Sequence, residues 1–323
     1  MIRIGMKLLL AVLGIAAAAS AAGQSYPTKP VRILVPFSAG SSPDLVARLV
    51  AEKAALGLGQ PVIVENRIGA GGRIAAEAAK RAAPDGYTLL LGSVSTHIAS
   101  AFLVKNLPYD PVNDFVPILN AVSPVSSVML NASVPAHSMK EFVDYARAHP
   151  GKIAYGSNGI GSTHHFIGEL IKLTAGIDLL HVPLAGSNEV MQALVSNQIQ
   201  LSFNAAGPAQ QYLASGRIRM LAILPGERYA GLPNVPTLAE ALPGYETIDD
   251  WFGFFGPAGL PRPIVSRLHD EMVKALNAPD VRTKLDNMTM VVIANTPEQF
   301  AAQMKREAAL FAKVARAIHL EPR

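Results

Sequence analysis

Short apolar runs that alternate with helical patterns constrain the fold of this 323-residue chain more than any other feature. A buried strand is predicted at 31–35, and from Asp44 onward apolar residues recur at helical spacing. The same order of strand, loop and helix returns several times along the chain. Near-continuous apolar strands joined by helices are typical of a parallel sheet covered by helices. The sequence therefore predicts an α/β fold.

The remaining predicted elements continue the alternation of strands and helices. Strands are predicted at 62–64, 87–91, 153–155, 179–182, 201–203 and 220–224, and helices at 74–82, 164–174, 189–195, 264–277, 281–287 and 297–318. The last helix opens with Thr296 as N-cap, a proline at the first helical position and a glutamine two positions later. The segments 106–114 and 232–244 interrupt the rhythm, so we expect the chain to approach a boundary between lobes there.

The N-terminal segment has the pattern of a secretory signal peptide. Arg3 and Lys7 precede an apolar run at 8–18, and small residues at 19–22 fit a cleavage site. The alternative is a buried N-terminal helix, since the run is too short to span a membrane comfortably. We therefore predict a signal peptide at 1–23 and a periplasmic location.

Composition excludes several classes of function. Half of the residues are hydrophobic and 16% are charged, which is typical of a well-packed globular protein. Without Arg3 and Lys7, 26 basic residues remain against 24 acidic ones, so the charge is too small to predict a nucleic-acid partner. The absence of cysteine excludes disulfides, thiolate metal sites and cysteine nucleophiles. No motif calls for a cofactor.

Two turns of small residues, each between a strand and a helix, are the candidate binding elements. Small residues let backbone N–H groups approach a ligand, and a helix N-terminus carries partial positive charge. If the turns face each other from separate lobes, they form a clamp for an anion. The alternative for either turn alone is an ordinary tight turn. The candidates in the first turn are Phe37, Ser38, Ala39, Gly40, Ser41 and Asp44, and those in the second turn are Gly159, Gly161, Ser162, Thr163 and His164.

Ser95 and Thr96 follow the third predicted strand and are further candidates. Their hydroxyl groups could reach a ligand at the same edge of the sheet. Helix capping is the alternative role for both.

Segments spread over the whole chain beyond the leader resemble one family, the extracytoplasmic binding receptors of tripartite tricarboxylate transporters, also called Bug proteins. No single segment is decisive, but their order and spacing make the resemblance specific. The segments that carry it lie at 26–37, 58–72, 84–92, 107–115, 149–152, 181–183, 232–237, 243–246 and 251–259.

The resemblance implies a fold of the type II-like periplasmic binding proteins. Two α/β lobes, joined by crossing strands, would close on a ligand like a Venus flytrap. Lobe 1 would hold 24–125 plus 249–323, and lobe 2 would hold 126–248. The implied function is a receptor, without catalytic activity, that captures a small carboxylate for the membrane subunits of a tripartite tricarboxylate-type transporter. We expect a monomer.

The resemblance also adds site residues and shows three departures. Ser41 replaces a second glycine, 184–186 replaces a Tyr-Lys-Gly segment, and Asn204 replaces an acid. Because Asn204 cannot pair with a ligand amine, the sequence favours a carboxylate without an α-ammonium group and with one apolar end. The residues added to the candidate set are Leu184, Gly186, Ser187 and Asn204.

Other functions have weaker support from the sequence. The glycines at 69–72 lack the spacing of a dinucleotide-binding turn. His97, His164 and His181 could meet in space, which keeps a metal or catalytic role open, but Ser162 is not in a nucleophile elbow. An enzyme on the same two-lobed scaffold, or a receptor that reports to a sensor protein, remains an alternative.

Overall fold

A computed structural model describes residues 26–322, so the predicted signal peptide lies outside the described residues. The described chain contains eleven strands. They are β1 (Val31–Val35), β2 (Val62–Asn66), β3 (Thr88–Ser93), β4 (Phe115–Pro124), β5 (Ser126–Asn131), β6 (Ala154–Ser157), β7 (Leu180–Pro183), β8 (Leu201–Ala205), β9 (Ile218–Ile223), β10 (Phe252–Pro257) and β11 (Met290–Val292).

The helices lie between and after these strands. They are α1 (Ser42–Leu58), α2 (Arg73–Lys80), α3 (Ser100–Leu103), α4 (Met139–Ala148), α5 (Thr163–Ala175), α6 (Ser187–Val195), α7 (Ala206–Ala214), α8 (Leu238–Ala241), α9 (Arg262–Asn277), α10 (Pro279–Asn287) and α11 (Pro297–Ala317). Helix α11 has the predicted capping box, because the Thr296 hydroxyl accepts from the Gln299 amide and the Gln299 side chain accepts from the Thr296 amide.

The strands form two separate sheets, which confirms the predicted α/β fold with two lobes. One sheet has the order β11-β4-β10-β3-β1-β2, and the other has the order β7-β6-β8-β5-β9. Both sheets are mixed, whereas the strand pattern of the sequence indicated parallel strands. Strand β10 runs antiparallel to β3 and β4, and β5 runs antiparallel to β8 and β9. The antiparallel strands are those next to the points where the chain crosses between sheets, because a returning chain enters in the opposite direction.

The chain crosses between the sheets at two places. Only Val125 separates β4 in the first sheet from β5 in the second, and its amide donates to the Thr289 carbonyl oxygen at 2.9 Å. The return crossing leads through Asp250 and Trp251 into β10. The Trp251 side chain is fully buried, and its Nε1 donates to Glu307 Oε2 on α11 at 2.8 Å. The residue boundaries of the two lobes stay a prediction.

Helix α11 also joins the lobes by direct packing. Its Phe311 is fully buried, and its ring packs in a tilted arrangement on Phe166 of α5 in the second lobe, with 4.2 Å between the ring centroids. Phe102 of α3 lies 6.3 Å from the Phe311 ring and completes an aromatic contact between the lobes. Because Phe166 is the fourth residue of α5, this contact lies close to the N-terminal end of that helix. None of the helices within 26–322 combines the length and the apolar composition that a membrane crossing needs.

Candidate functional site

Both predicted turns contribute to the wall of one cavity of about 260 Å³ between the sheets. The first lobe supplies the ends of strands and the segment after β1, and the second lobe supplies the N-terminal end of α5. The return crossing supplies one acidic residue. The lining residues are Phe37, Ser93, Ser95, Asn158, Ser162, Thr163, His164, Asp250 and Phe252.

The second turn presents a helix N-terminus to this cavity. Ser162 is the N-cap of α5, and its hydroxyl accepts from the His165 amide at 3.2 Å. Thr163 and His164 are the first two helical residues, so their amides have no acceptor within the helix. Amides in this position, together with the helix dipole, favour an anion. The α5 terminus is therefore suited to bind a carboxylate.

The amides of Gly40, Gly159 and Gly161 have acceptors inside the protein, and contact of these glycines with a ligand stays a prediction. The Gly40 amide donates to Asp44 Oδ2 at 2.8 Å. In the second turn, the Gly159 amide donates to Ser157 Oγ at 3.2 Å, and the Gly161 amide donates to His165 Nδ1 at 3.0 Å. These bonds shape the turns, because each one closes a short loop of the backbone. The first amides of α5 are then the donors of the second turn that have no acceptor within their helix.

Asp44 does not line the cavity and organises the first turn, and its assignment as a ligand contact stays a prediction. It is fully buried and accepts from Arg48 Nε at 2.9 Å and from Asn66 Nδ2 at 2.7 Å, in addition to Gly40. Burial alone would raise its pKa, but the hydrogen bonds from these groups outweigh burial and lower the pKa below its usual value. Asn66 Nδ2 also donates to the Phe37 carbonyl oxygen at 3.0 Å, so this cluster holds Phe37 in place.

One wall of the cavity is aromatic and another is polar. The rings of Phe37 and Phe252 meet edge to face at 5.7 Å. The hydroxyl groups of Ser93 and Ser95 are hydrogen-bonded to each other at 2.8 Å. The cavity therefore offers an apolar surface and hydroxyl donors side by side.

Two buried polar atoms of lining residues have no hydrogen-bond partner. They are Asn158 Oδ1 and His164 Nδ1. Asn158 Nδ2 donates to Ser187 Oγ at 3.1 Å, so the side-chain oxygen of Asn158 is the part of the amide without a partner. Burial lowers the pKa of His164 to about 4, so its ring is neutral at pH 7. Buried polar atoms without a partner are costly, so these two atoms mark strain in the cavity wall.

Asp250 is the one ionisable acid among the lining residues, which include no lysine or arginine within the described part of the chain. It is half-buried. Burial raises its pKa to about 6, a hydrogen bond from the Trp251 backbone lowers it, and the charge of Asp249 raises it. At pH 7 the carboxyl is mostly ionised, so the cavity carries about one negative charge.

The structure brings together only part of the predicted set. Thr96 is fully buried, and its Oγ1 accepts from the Ser93 amide at 2.9 Å, so its hydroxyl is engaged inside the protein and does not cap a helix. Ser187 and Asn204 line a second cavity of about 190 Å³ next to the first. Five predicted residues line the first cavity, namely Phe37, Ser95, Ser162, Thr163 and His164; those that do not are Ser38, Ala39, Gly40, Ser41, Asp44, Thr96, Gly159, Gly161, Leu184, Gly186, Ser187 and Asn204.

Four lining residues were missed by the sequence-based reasoning: Ser93, Asn158, Asp250 and Phe252. Ser93 ends a parallel strand, and that position alone could have indicated it. Asn158 lies inside the second turn and was passed over in favour of its glycines. Nothing in the local sequence marks Asp250 and Phe252, because their place depends on the return crossing.

The three histidines do not form a metal site. His97 stacks on Phe255 at 3.9 Å between ring centroids, and His181 stacks on His165 at 4.1 Å, while His164 lines the cavity. No group of three histidine, aspartate or glutamate side chains within 26–322 could hold a metal ion.

Proteins of known family are similar to this chain over most of its length. The model of the tripartite tricarboxylate transporter family receptor matches residues 46–319. A protein of Cupriavidus necator, described as the UPF0065 protein in the gbd 5′ region, is 35% identical over 317 residues, which cover 97% of this chain and 96% of that protein. Protein BugT of Bordetella pertussis is 33% identical over 303 residues, which cover 91% and 92% of the two chains.

Solved structures share the fold over nearly the same length. R. palustris Rpa4515 with adipate is 31% identical, with a TM-score of 0.75, and the match covers 93% of this chain and 100% of that one. MatC from Rhodopseudomonas palustris with bound malate is 33% identical, with a TM-score of 0.70, and the match covers 90% and 99%. The expected two-lobed fold of a periplasmic binding protein is thereby confirmed. The chain belongs to the tripartite tricarboxylate transporter receptor family of Bug proteins, which are solute-binding receptors and not enzymes.

Proposed function

We propose that this protein captures a small carboxylate in the cavity between its lobes and delivers it to the membrane subunits of a tripartite tricarboxylate-type transporter. The observation that carries the proposal is the open N-terminus of α5 in a wall shared by both lobes. The Thr163 and His164 amides and the hydroxyl groups of Ser95 and Ser162 supply donors for a carboxylate. Each charge-assisted hydrogen bond of this kind contributes about 1.5–3 kcal/mol.

A ligand that touches both lobes favours the closed arrangement, because those contacts exist only when the lobes are together. Phe37 and Phe252 on one lobe and Thr163 on the other are placed for such contacts. The relatives support a carboxylate as ligand, since Rpa4515 carries adipate and MatC carries malate. We propose further that the signal peptide at 1–23 directs the protein to the periplasm, where it acts as a monomer. A sensor protein as recipient is the alternative to the transporter.

Isothermal titration with a panel of carboxylates tests the proposal. The panel includes adipate, malate and aromatic and branched monocarboxylates, and we expect one ligand to bind each chain and to be recovered unchanged. The variant Ser162→Ala removes the N-cap of α5 and one hydroxyl donor from the cavity, so we expect weaker binding and a loss of about 1 kcal/mol in stability.

The matched control for Ser162 is Ser138→Ala. Ser138 caps α4 in the same lobe through the Glu141 amide at 3.2 Å and does not line the cavity. We expect a similar loss of stability and unchanged affinity. Equal affinity losses in the two variants, or a panel without any bound carboxylate, would contradict the proposal.

Gly161 fixes the second turn against the other lobe. Its φ is +78°, and a β-carbon there would lie 1.8 Å from Leu103 Cδ2 of α3. We expect Gly161→Ala to lower the free energy of unfolding by about 1–2 kcal/mol through backbone strain and to weaken ligand binding by displacing the turn. Gly176→Ala is the control, since its φ is +61° and no atom lies within 4 Å of the added carbon. Urea unfolding and titration measure both effects, and unchanged affinity in Gly161→Ala would contradict this role of the turn.

A further inference from the structure

The charge of the cavity restricts what kind of carboxylate it can hold. Asp250 is the single ionisable acid in the wall, and no lysine or arginine within 26–322 lines the cavity to offset it. Arg73 lines a separate cavity that shares only Ser95 with this one. A ligand carboxylate held at the α5 terminus would therefore share a small, partly desolvated space with a second carboxylate. Like charges in such a space disfavour each other.

A ligand with a positive group removes this conflict. An ammonium group has three donors and no acceptor, so it pairs best with carboxylate and carbonyl oxygens. Asp250 supplies the carboxylate, and the unpartnered Asn158 Oδ1 supplies a second buried acceptor in the same wall. The neutral His164 ring adds no competing charge. The wall thus has donors at the α5 terminus, an unpaired amide oxygen in the turn before α5, and a carboxylate on the return crossing.

We propose that Asp250 determines specificity and that the ligand is a carboxylate that also carries an ammonium group. The inference rests on the proposed capture of a carboxylate and names the class of carboxylate. It replaces the expectation of a ligand without an ammonium group, which considered only position 204. Asn204 does not line this cavity, and its Nδ2 donates to Ser202 Oγ at 3.0 Å. The acidic partner therefore comes from the return crossing and not from β8.

The other charged groups around Asp250 do not supply the missing cation. Asp249 is its neighbour in the chain and accepts from the Gly226 amide at 3.2 Å. Glu307 on α11 lies close enough for its carboxyl to be affected by the charges of Asp249 and Asp250. Arg306 lies with Asp249 and Glu307 in a different cavity, where burial raises the pKa of Asp249 and the charge of Arg306 acts to lower it. Glu307 is mostly protonated at pH 7, because burial raises its pKa to about 8. These neighbours therefore place no cation in the wall of the cavity that Asp250 lines.

Titration with matched pairs of probes tests the inference. Each pair has one carbon skeleton with and without the ammonium group: γ-aminobutyrate with butyrate, leucine with isocaproate, and aspartate with succinate. We expect the ammonium-bearing member of at least one pair to bind about tenfold or more tightly than its partner, the effect of one charge-assisted contact. We expect Asp250→Asn to abolish this preference.

The control variant is Asp249→Asn, which removes an adjacent acid that does not line the cavity. It should retain the preference of the unmodified protein. Tighter binding of the members without ammonium, with a further gain in Asp250→Asn, would overturn the inference while leaving carboxylate capture intact. If neither member of any pair binds and the wider panel also fails, the proposed function fails first and the inference falls with it.

Discussion

Replacing Phe311 with alanine is expected to lower the free energy of unfolding by about 3–5 kcal/mol. The side chain is fully buried, and its removal leaves a cavity between α11 and α5 that the surrounding helices fill only in part. The ring of Phe166 also loses the tilted aromatic contact at 4.2 Å between ring centroids. Urea unfolding followed by circular dichroism measures the loss.

Phe311→Leu is the matched control for this position. It keeps most of the apolar volume, so we expect a loss below about 1.5 kcal/mol. Because α5 also carries Ser162 and Thr163 into the cavity, Phe311→Ala should weaken ligand binding, whereas Phe311→Leu should retain most of it. A loss of stability below about 1 kcal/mol in the alanine variant would show that the aromatic contact does not hold the lobes together.

The second large expected effect is a fall in stability with rising pH, caused by Glu307. Burial raises the pKa of this carboxyl from 4.5 to about 8, although hydrogen bonds from Trp251 and Gln303 lower it. Between these two values the folded protein keeps a proton that the unfolded chain releases, so stability falls as pH rises. From pH 6 to pH 8 the expected loss is about 2 kcal/mol.

Glu307→Gln tests this assignment. The amide cannot ionise, so we expect the loss of stability between pH 6 and pH 8 to disappear. We also expect this variant to lose about 1 kcal/mol of stability at every pH. The reason is that one of the two donors, Trp251 Nε1 or Gln303 Nε2, then faces an NH₂ group and not an oxygen. The control is Glu246→Gln, which removes an exposed acid paired with Lys313 and should leave the pH dependence unchanged. The same slope in Glu307→Gln as in the unmodified protein would rule Glu307 out.

Local sequence patterns predicted the elements on which the fold depends most. The apolar run of β1 is mostly buried between β3 and β2, and helix α5 begins one residue from the predicted start. These elements are defined by neighbouring residues, so periodicity and capping suffice to find them. The resemblance to the receptor family supplied the two-lobed arrangement, which periodicity alone could not.

The rest depends on contacts between distant parts of the chain. Strands β4 and β10 were not predicted, because their pairing is set by where the chain crosses between sheets. The use of the Gly40 and Gly161 amides inside their own turns depends on the side chains of Asp44 and His165. Asp250 reaches the cavity only because the return crossing passes beside it. Residues that reach the cavity wall from two lobes can be identified only from the folded structure.

Trp251 is the only tryptophan in the sequence, and it lies between two residues, Asp250 and Phe252, that line the cavity. Its indole is anchored to Glu307 on α11 and meets the Phe300 ring edge to face at 4.9 Å. Intrinsic emission from this single fluorophore therefore originates at the crossing where the lobes would rotate. The protein carries its own optical reporter of lobe movement, and stopped-flow mixing could follow ligand capture in real time without an attached dye.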